Sequence, residues 1–255
     1  MDPLLREPVR MRVTTGDGRG LDVVVAGPPD GDVVLAHHGT PGSCMLMRAQ
    51  VRAGAARGLR HVSYARPGYA GSDRAPGRTV ADCAADAAAV LDALGVDACL
   101  TTGWSGGGPH ALACAALLGD RVRSAATIAG VAPYDGDGLE WTAGMGRENI
   151  EEFAAALEGE AVLRSHLRAE AEQLSRFTGP DLAAAFGDLV DDVDRAALTG
   201  EAADDLAALI REGLRDGVWG WLDDDLAFVR PWGFDPHAID APVAVWQGGR
   251  DRRSR

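Results

Sequence analysis

The chain has 255 residues, a net charge of −13 and a pI near 4.8, which argues against a nucleic-acid partner, because that needs a basic stripe. Hydrophobic residues make up 46% of it, enough for a sizeable core, and the length suits one large α/β domain or a core with an inserted lobe. Every basic side chain other than histidine is arginine, and the acid excess falls between residues 131 and 240, a break in composition that predicts a separate helical lobe. Cys44, Cys83, Cys99 and Cys114 show neither C-x-x-C spacing nor a His/Cys cluster, so they read as buried free thiols in a reducing compartment, with no metal or cofactor expected. MDPLLREPVR lacks an apolar signal core and no apolar run reaches a membrane span; a cytoplasmic protein with no membrane partner is expected.

In chain order, Val9, Met11 and Val13 alternate with arginines and predict a half-exposed strand, turned at GDGRG into a second strand, LDVVVAG. Near-continuous apolar runs at Val33–Ala36, His61–Tyr64, Ala98–Thr102, Ser124–Ile128 and Val243–Trp246 fit parallel strands covered on both faces. Helical patterns separate them. Over 79–94, Thr79 is the expected N-cap, Val80, Cys83, Ala84, Ala87, Val90, Leu91 and Leu94 form one apolar face, and Gly95 stops the helix. This alternation predicts a doubly wound, mostly parallel sheet with its working crevice at the carboxyl ends of the strands. Residues 134–236 break it with acidic helical stretches, giving an expected helical cap insertion within a core made of 1–133 and 237–255.

The motif that carries chemistry is Gly103-Trp104-Ser105-Gly106-Gly107, a G-x-S-x-G between strand and helix. That context places Ser105 on a strained turn above the sheet edge as a nucleophile, with Gly103 and Gly107 present because a Cβ would collide across the turn. An incidental serine in a Gly-rich connection is the plain alternative. HHGTPGS follows the strand at 33–36 and so lies at the same edge; its turn can aim the Thr40 N–H beside that of Gly106, a two-donor oxyanion hole. Gly39 and Trp104 are expected to border the substrate. A phosphate-binding loop fits poorly, since neither GxxxxGK nor GxGxxG follows a strand.

On these motifs the chain resembles the α/β-hydrolase superfamily over nearly its whole length, closest to the cap-bearing serine hydrolases that include proline iminopeptidases. YARPGYAGSD (64–73) is similar to that branch's loop after the fourth strand, with Pro67 a departure from its R-G-x-G-x-S pattern. The resemblance implies a cap that selects substrate, no cofactor, and a catalytic acid in a G-x-x-D turn after the seventh strand, which GGRD (248–251) matches at Asp251. Asp135 is a substitute acid in that frame, and an ordinary surface turn is the plain reading of Asp251. A serine at 105 sets the chain apart from epoxide hydrolases and haloalkane dehalogenases.

The same resemblance puts the catalytic histidine after the acid, but only Arg252, Arg253, Ser254 and Arg255 follow. His110 lies about 140° around its helix from Ser105. His61 and His237 sit near the amino ends of their strands, His37 and His38 shape the oxyanion turn, and His166 belongs to the cap. A nucleophile, an oxyanion hole and an acid are thus expected without a base, and the chain is expected to lack the last strand and helix, exposing an edge at 243–246 and impairing solubility. The expected activity is hydrolysis of small esters or amides through an acyl-enzyme on Ser105, crippled by the absent histidine. The alternatives are a non-catalytic ligand-binding relative and, in a full-length form, an aminopeptidase like the proline iminopeptidases. Trp141, Trp219, Trp221 and Trp232 read as core or as an apolar pocket. Asp191-Asp192, Asp204-Asp205 and Asp223-Asp224-Asp225 read as solvated helix faces, or else as holders of a substrate ammonium.

Overall fold

The apolar runs become one seven-stranded sheet: β1 (Val9–Thr14), β2 (Gly20–Ala26), β3 (Asp32–His37), β4 (Leu59–Tyr64), β5 (Cys99–Trp104), β6 (Val122–Ile128) and β7 (Val243–Trp246). The structure is a computed structural model, which describes residues 7–136, 138–185 and 192–249. Strand order is β1-β2-β4-β3-β5-β6-β7. β2 runs antiparallel to both β1 and β4, and the remaining pairs are parallel. The register pairs His37 with Gly103 and Trp104 with Ile128, so β3, β5 and β6 end side by side. That shared carboxyl edge positions the candidate site.

Side chains alternate across the sheet with the period of two that a strand imposes. Val23 and Val25 of β2 join the core formed with α2 (Cys83–Ala93) and α3 (Gly108–Leu117), whereas Val24 between them joins a second core. Helix α2 begins three residues later than the sequence pattern suggests. Thr79 is not its cap: the Asp82 carboxylate accepts from the Thr79 N–H at 2.7 Å and its hydroxyl at 3.0 Å, closing a turn ahead of the helix. Gly95 then ends it at φ +64°, a conformation glycine adopts without Cβ strain.

Between β6 and β7 the described residues form helices and no strand: α4 (Arg147–Glu158), α5 (Glu160–Leu174), α6 (Gly179–Ala185), α7 (Asp192–Ala197), α8 (Gly200–Gly213) and α9 (Trp219–Phe228). Leu206, Leu209, Ile210 and Gly213 give α8 a buried stripe at helical spacing, which packs with Leu163, Leu167 and Leu222 into the second core. The acidic charge of this excursion faces arginines of the rest of the chain. Arg10 pairs with Glu212 at 2.6 Å, Arg48 with Asp205 at 2.7 Å, Arg74 with Asp223 at 2.9 Å, and Arg52 with Glu201.

One expectation needs correcting here. Asp223, Asp224 and Asp225 are no solvated face: all three are buried, at 2%, 0% and 1% exposure, and Asp205 is buried too. Trp141, Trp221 and Trp232 are core residues, and Trp219 packs its ring against the Arg74 guanidinium. At the sheet's edge, β7 pairs with β6 alone among the described residues, leaving Val245 and Trp246 70% and 68% exposed. No described helix is long and apolar enough to cross a membrane.

Candidate active site

β5 delivers Ser105 through an abrupt change of backbone. Trp104 is extended (φ −110°), Ser105 turns to φ +51°, and a short 3-10 turn, Ser105–Gly107, leads into α3 with Pro109 in its first turn. A serine in this left-handed region is strained unless its surroundings impose it, and such strain gathers at functional sites. The turn closes only because its neighbours lack side chains. A Cβ on Gly103 would run into the Gly107 carbonyl, and one on Gly107 into the His37 carbonyl. A Cβ on Gly106 would strike the Thr40 hydroxyl. Thr40, on the loop after β3, therefore lies directly against the Ser105–Gly106 turn.

Thr40, Ser105 and Gly106 line one small cavity of about 50 Å³ with Val131, Asn149, Glu152, Phe153, Asp225 and Phe228. That volume holds a water or a reacting carbonyl group, not a whole ester. The Gly39 and Trp104 expectation divides: the Trp104 ring packs over Gly39, but Trp104 lines a separate apolar cavity of about 530 Å³ with Met45, Met47, Leu206 and Leu209. Asp135 is exposed and borders another groove beside Trp232 and Val245. Asp251 lies outside the described residues, as does Asp191.

Behind Thr40 sits a buried ionic cluster. The Asp224 carboxylate accepts hydrogen bonds from Thr40 Oγ1, Arg66 Nη2 and Tyr69 OH, each at 2.7 Å, and from Arg78 Nη2 at 2.6 Å. Arg66 also donates to the carbonyls of His38 and Gly39 at 2.5 and 3.1 Å. Burial alone would raise the Asp224 carboxyl, but the Arg66 and Arg78 guanidiniums outweigh it and hold the group well below the usual carboxylate range. The next residue behaves oppositely. Asp225 and Glu152 are within hydrogen-bonding reach of each other, yet neither Asp225 oxygen has a donor. Burial, then the neighbouring carboxylate, pushes Asp225 well above its ordinary range; burial also raises Glu152, against the hydrogen bonds from Asp225 and from Trp221 Nε1, the latter at 2.6 Å. Two such carboxyls must share a proton to be joined. Sequence reading missed Glu152, and the one signal for this pair was a run of three aspartates inside an otherwise apolar helix, WGWLDDDLAF.

Most of the histidines are held by contacts other than with Ser105. His38 gives its Nδ1 proton to the Gly39 carbonyl at 2.7 Å and accepts from the Arg66 N–H at Nε2 at 3.1 Å. His110 donates from Nδ1 to the Gly106 carbonyl at 2.8 Å, bracing the turn. Burial, reinforced by Arg66, lowers His37 to about 3. His61 packs against Gly54 at α1 (Arg48–Ala55), and His237 is exposed beside Asp235. His166, on α5, is half-buried. No hydrogen bond joins any of them to Ser105. Among the described residues no cluster of three or more His, Cys, Asp or Glu side chains could hold a metal.

The sequence profile of the alpha/beta hydrolase fold matches residues 32–252. A non-heme chloroperoxidase of Streptomyces lividans is 33% identical over 147 residues, which is 57% of this chain and 53% of that protein. A bifunctional esterase/perhydrolase of Acinetobacter calcoaceticus is 36% identical over 123 residues, 48% of this chain and 45% of that protein. The matches thus span about half the length of these curated relatives. Among solved structures, an alpha/beta hydrolase fold protein from Nakamurella multipartita superposes with a TM-score of 0.59 at 28% identity, covering 93% of this chain and 80% of the other.

Proposed function

Because the chain belongs to the alpha/beta hydrolase fold family, we propose that it is a serine hydrolase of small ester or amide substrates, working through an acyl-enzyme on Ser105. The observation that carries this reading is the positive φ of Ser105 on a turn whose three glycines leave no room for a Cβ. Strain of this kind clusters at functional sites, and here it falls on a hydroxyl-bearing residue that lines a cavity. In the proposed chemistry, Ser105 Oγ attacks the carbonyl carbon, and the carbonyl oxygen takes up charge facing the Thr40 and Gly106 N–H groups and the amino end of α3. The leaving group departs with a proton and water then releases the acid. The helical excursion serves as a cap over the cavity, and Asp251 is the proposed acid.

No hydrogen bond joins any of the six histidines to Ser105, so turnover by these 255 residues is proposed to be slow. Removing one member of such a triad costs about 10⁶ in kcat while leaving roughly 10³–10⁴ over water. The test is fluorophosphonate labelling and p-nitrophenyl acetate hydrolysis by the chain and by Ser105→Ala. Labelling confined to Ser105, slow alone and faster in added imidazole, is the expected result. Labelling that survives Ser105→Ala would end the reading.

Glu152 and Asp225 support a second reading for the same site, an aminopeptidase. A substrate ammonium can replace the shared proton of this pair in the cavity that holds Ser105. A proline naphthylamide should then be preferred over a neutral ester of similar size at low salt, and its KM should fall as pH rises and the pair loses its proton.

A further inference from the structure

The Asp224 cluster is too elaborate for a link that only ties two segments together. Its carboxylate is fully buried, and four of the groups that donate to it come from the loops after β3 and β4: the Thr40 hydroxyl, two nitrogens of Arg66 and the Tyr69 hydroxyl. Arg66 reaches past Asp224 to the carbonyls of His38 and Gly39 and to Thr40 Oγ1 at 3.0 Å. Three consecutive residues of the turn are thus held by this cluster. The hydroxyl of Thr40 is spent on this anchor, and the same hydroxyl and its Cβ lie against Gly106. The Ser105–Gly106 turn is braced by His110 through the Gly106 carbonyl, with His110 Nε2 3.8 Å from Asp224 Oδ1.

We propose that Asp224, on α9 of the helical excursion, is a positioning residue for the reaction at Ser105: through the Thr40 hydroxyl and Arg66 it fixes the direction of the Thr40 N–H, so the oxyanion site is completed by the excursion and not by the sheet edge alone. The proposal rests on Ser105 as nucleophile and Thr40 as a donor. It also fixes how the parts respond to change. Displacing α9 would withdraw an acceptor from the turn without moving Ser105, which β5 and α3 hold. Reactivity would then drop while the serine stayed in place, a loss in the chemical step and not in binding.

Thr40→Val tests this most cleanly, because it removes the hydroxyl and keeps the branched shape, and Asp224 retains Arg66, Arg78 and Tyr69. For fluorophosphonate the expected result is a fall of roughly 10- to 100-fold in the limiting labelling rate, the scale of a misplaced or lost oxyanion donor, with the half-saturating concentration within twofold of wild type. Thr40→Ser should restore most of the rate, and Asp224→Asn should reproduce the fall. Tyr69→Phe removes another donor from the same Asp224 oxygen and keeps the ring's edge contact with His38, so it should lower the melting temperature and leave labelling unchanged. Amide exchange of the segment around Thr40 should quicken in Thr40→Val and Asp224→Asn but not in Tyr69→Phe. Wild-type labelling by Thr40→Val, or equal losses in all three variants, would overturn the proposal. A wild-type chain in which Ser105 takes no label would sink the nucleophile reading instead, and the exchange pattern alone would then decide the positioning role.

Discussion

Asp225→Asn should make the protein more stable at alkaline pH and flatten its pH–stability curve. In the folded chain the Asp225 carboxyl is buried, faces Glu152 and is pushed well above its ordinary range, whereas in the unfolded chain it ionises as any aspartate does. Asp224 on the same helix reinforces that rise, Arg78 opposes it, and Trp221 and His166 act on Glu152. The sign follows. An acid whose folded value is raised keeps its proton in the native state after losing it in the unfolded state, so stability is greatest at low pH and declines as pH rises through that window. One proton held only by the native state corresponds to a slope of about 1.4 kcal/mol per pH unit. Asparagine is close in shape to a protonated carboxyl and its N–H can donate to Glu152, so the variant keeps the contact and loses the proton linkage. Urea denaturation of both proteins at pH 5, 6, 7 and 8 measures it. The wild-type curve should fall away from the variant's by up to about 1.4 kcal/mol per unit, with the variant the more stable at the upper end. Parallel curves would show that the two carboxyls share no proton, and the reasoning would fail.

The other predictions rest on different features. Asp224→Ala removes the one carboxylate between two buried guanidiniums, and should cost about 3–5 kcal/mol in chemical denaturation, much of an ordinary domain's stability. Asp223→Ala, whose partner Arg74 is partly exposed at 26%, should cost well under half as much. Gly107→Ala drives a Cβ into the His37 backbone and should destabilise by about 2–3 kcal/mol; if it melts like wild type, the turn is looser than the geometry indicates.

The sheet was readable because its information is local. Val33–Ala36 and Ser124–Ile128 carry their burial in their own composition, and the observed strands start or end only one or two residues away. Ser105 was readable for a similar reason, since the strained turn needs glycines at fixed offsets. Glu152 and the three aspartates were not, because a carboxylate's environment is decided by residues far off in sequence: Asp224 meets Arg66 across 158 positions, and Asp223 meets Arg74 across 149. In the sequence, Glu152 is one of several acids on an amphipathic helix. The start of α2 was misplaced by a subtler effect. Thr79 and Asp82 form the hydrogen bond expected of a cap, but in a turn that precedes the helix.

The ion pairs along the seam bear on how this fold could be recombined. The acids belong to the excursion between β6 and β7, while their partners Arg10, Arg48, Arg52, Arg66, Arg74 and Arg78 all lie in the first third of the chain. The excursion is therefore not an interchangeable module. A graft from a relative that lacked a carboxylate at position 224 would strand Arg66 and Arg78 as buried, uncompensated cations. Exchanging the excursion alone should yield chains that misfold even though both parents fold well. Exchanging it together with the loops bearing those arginines should not.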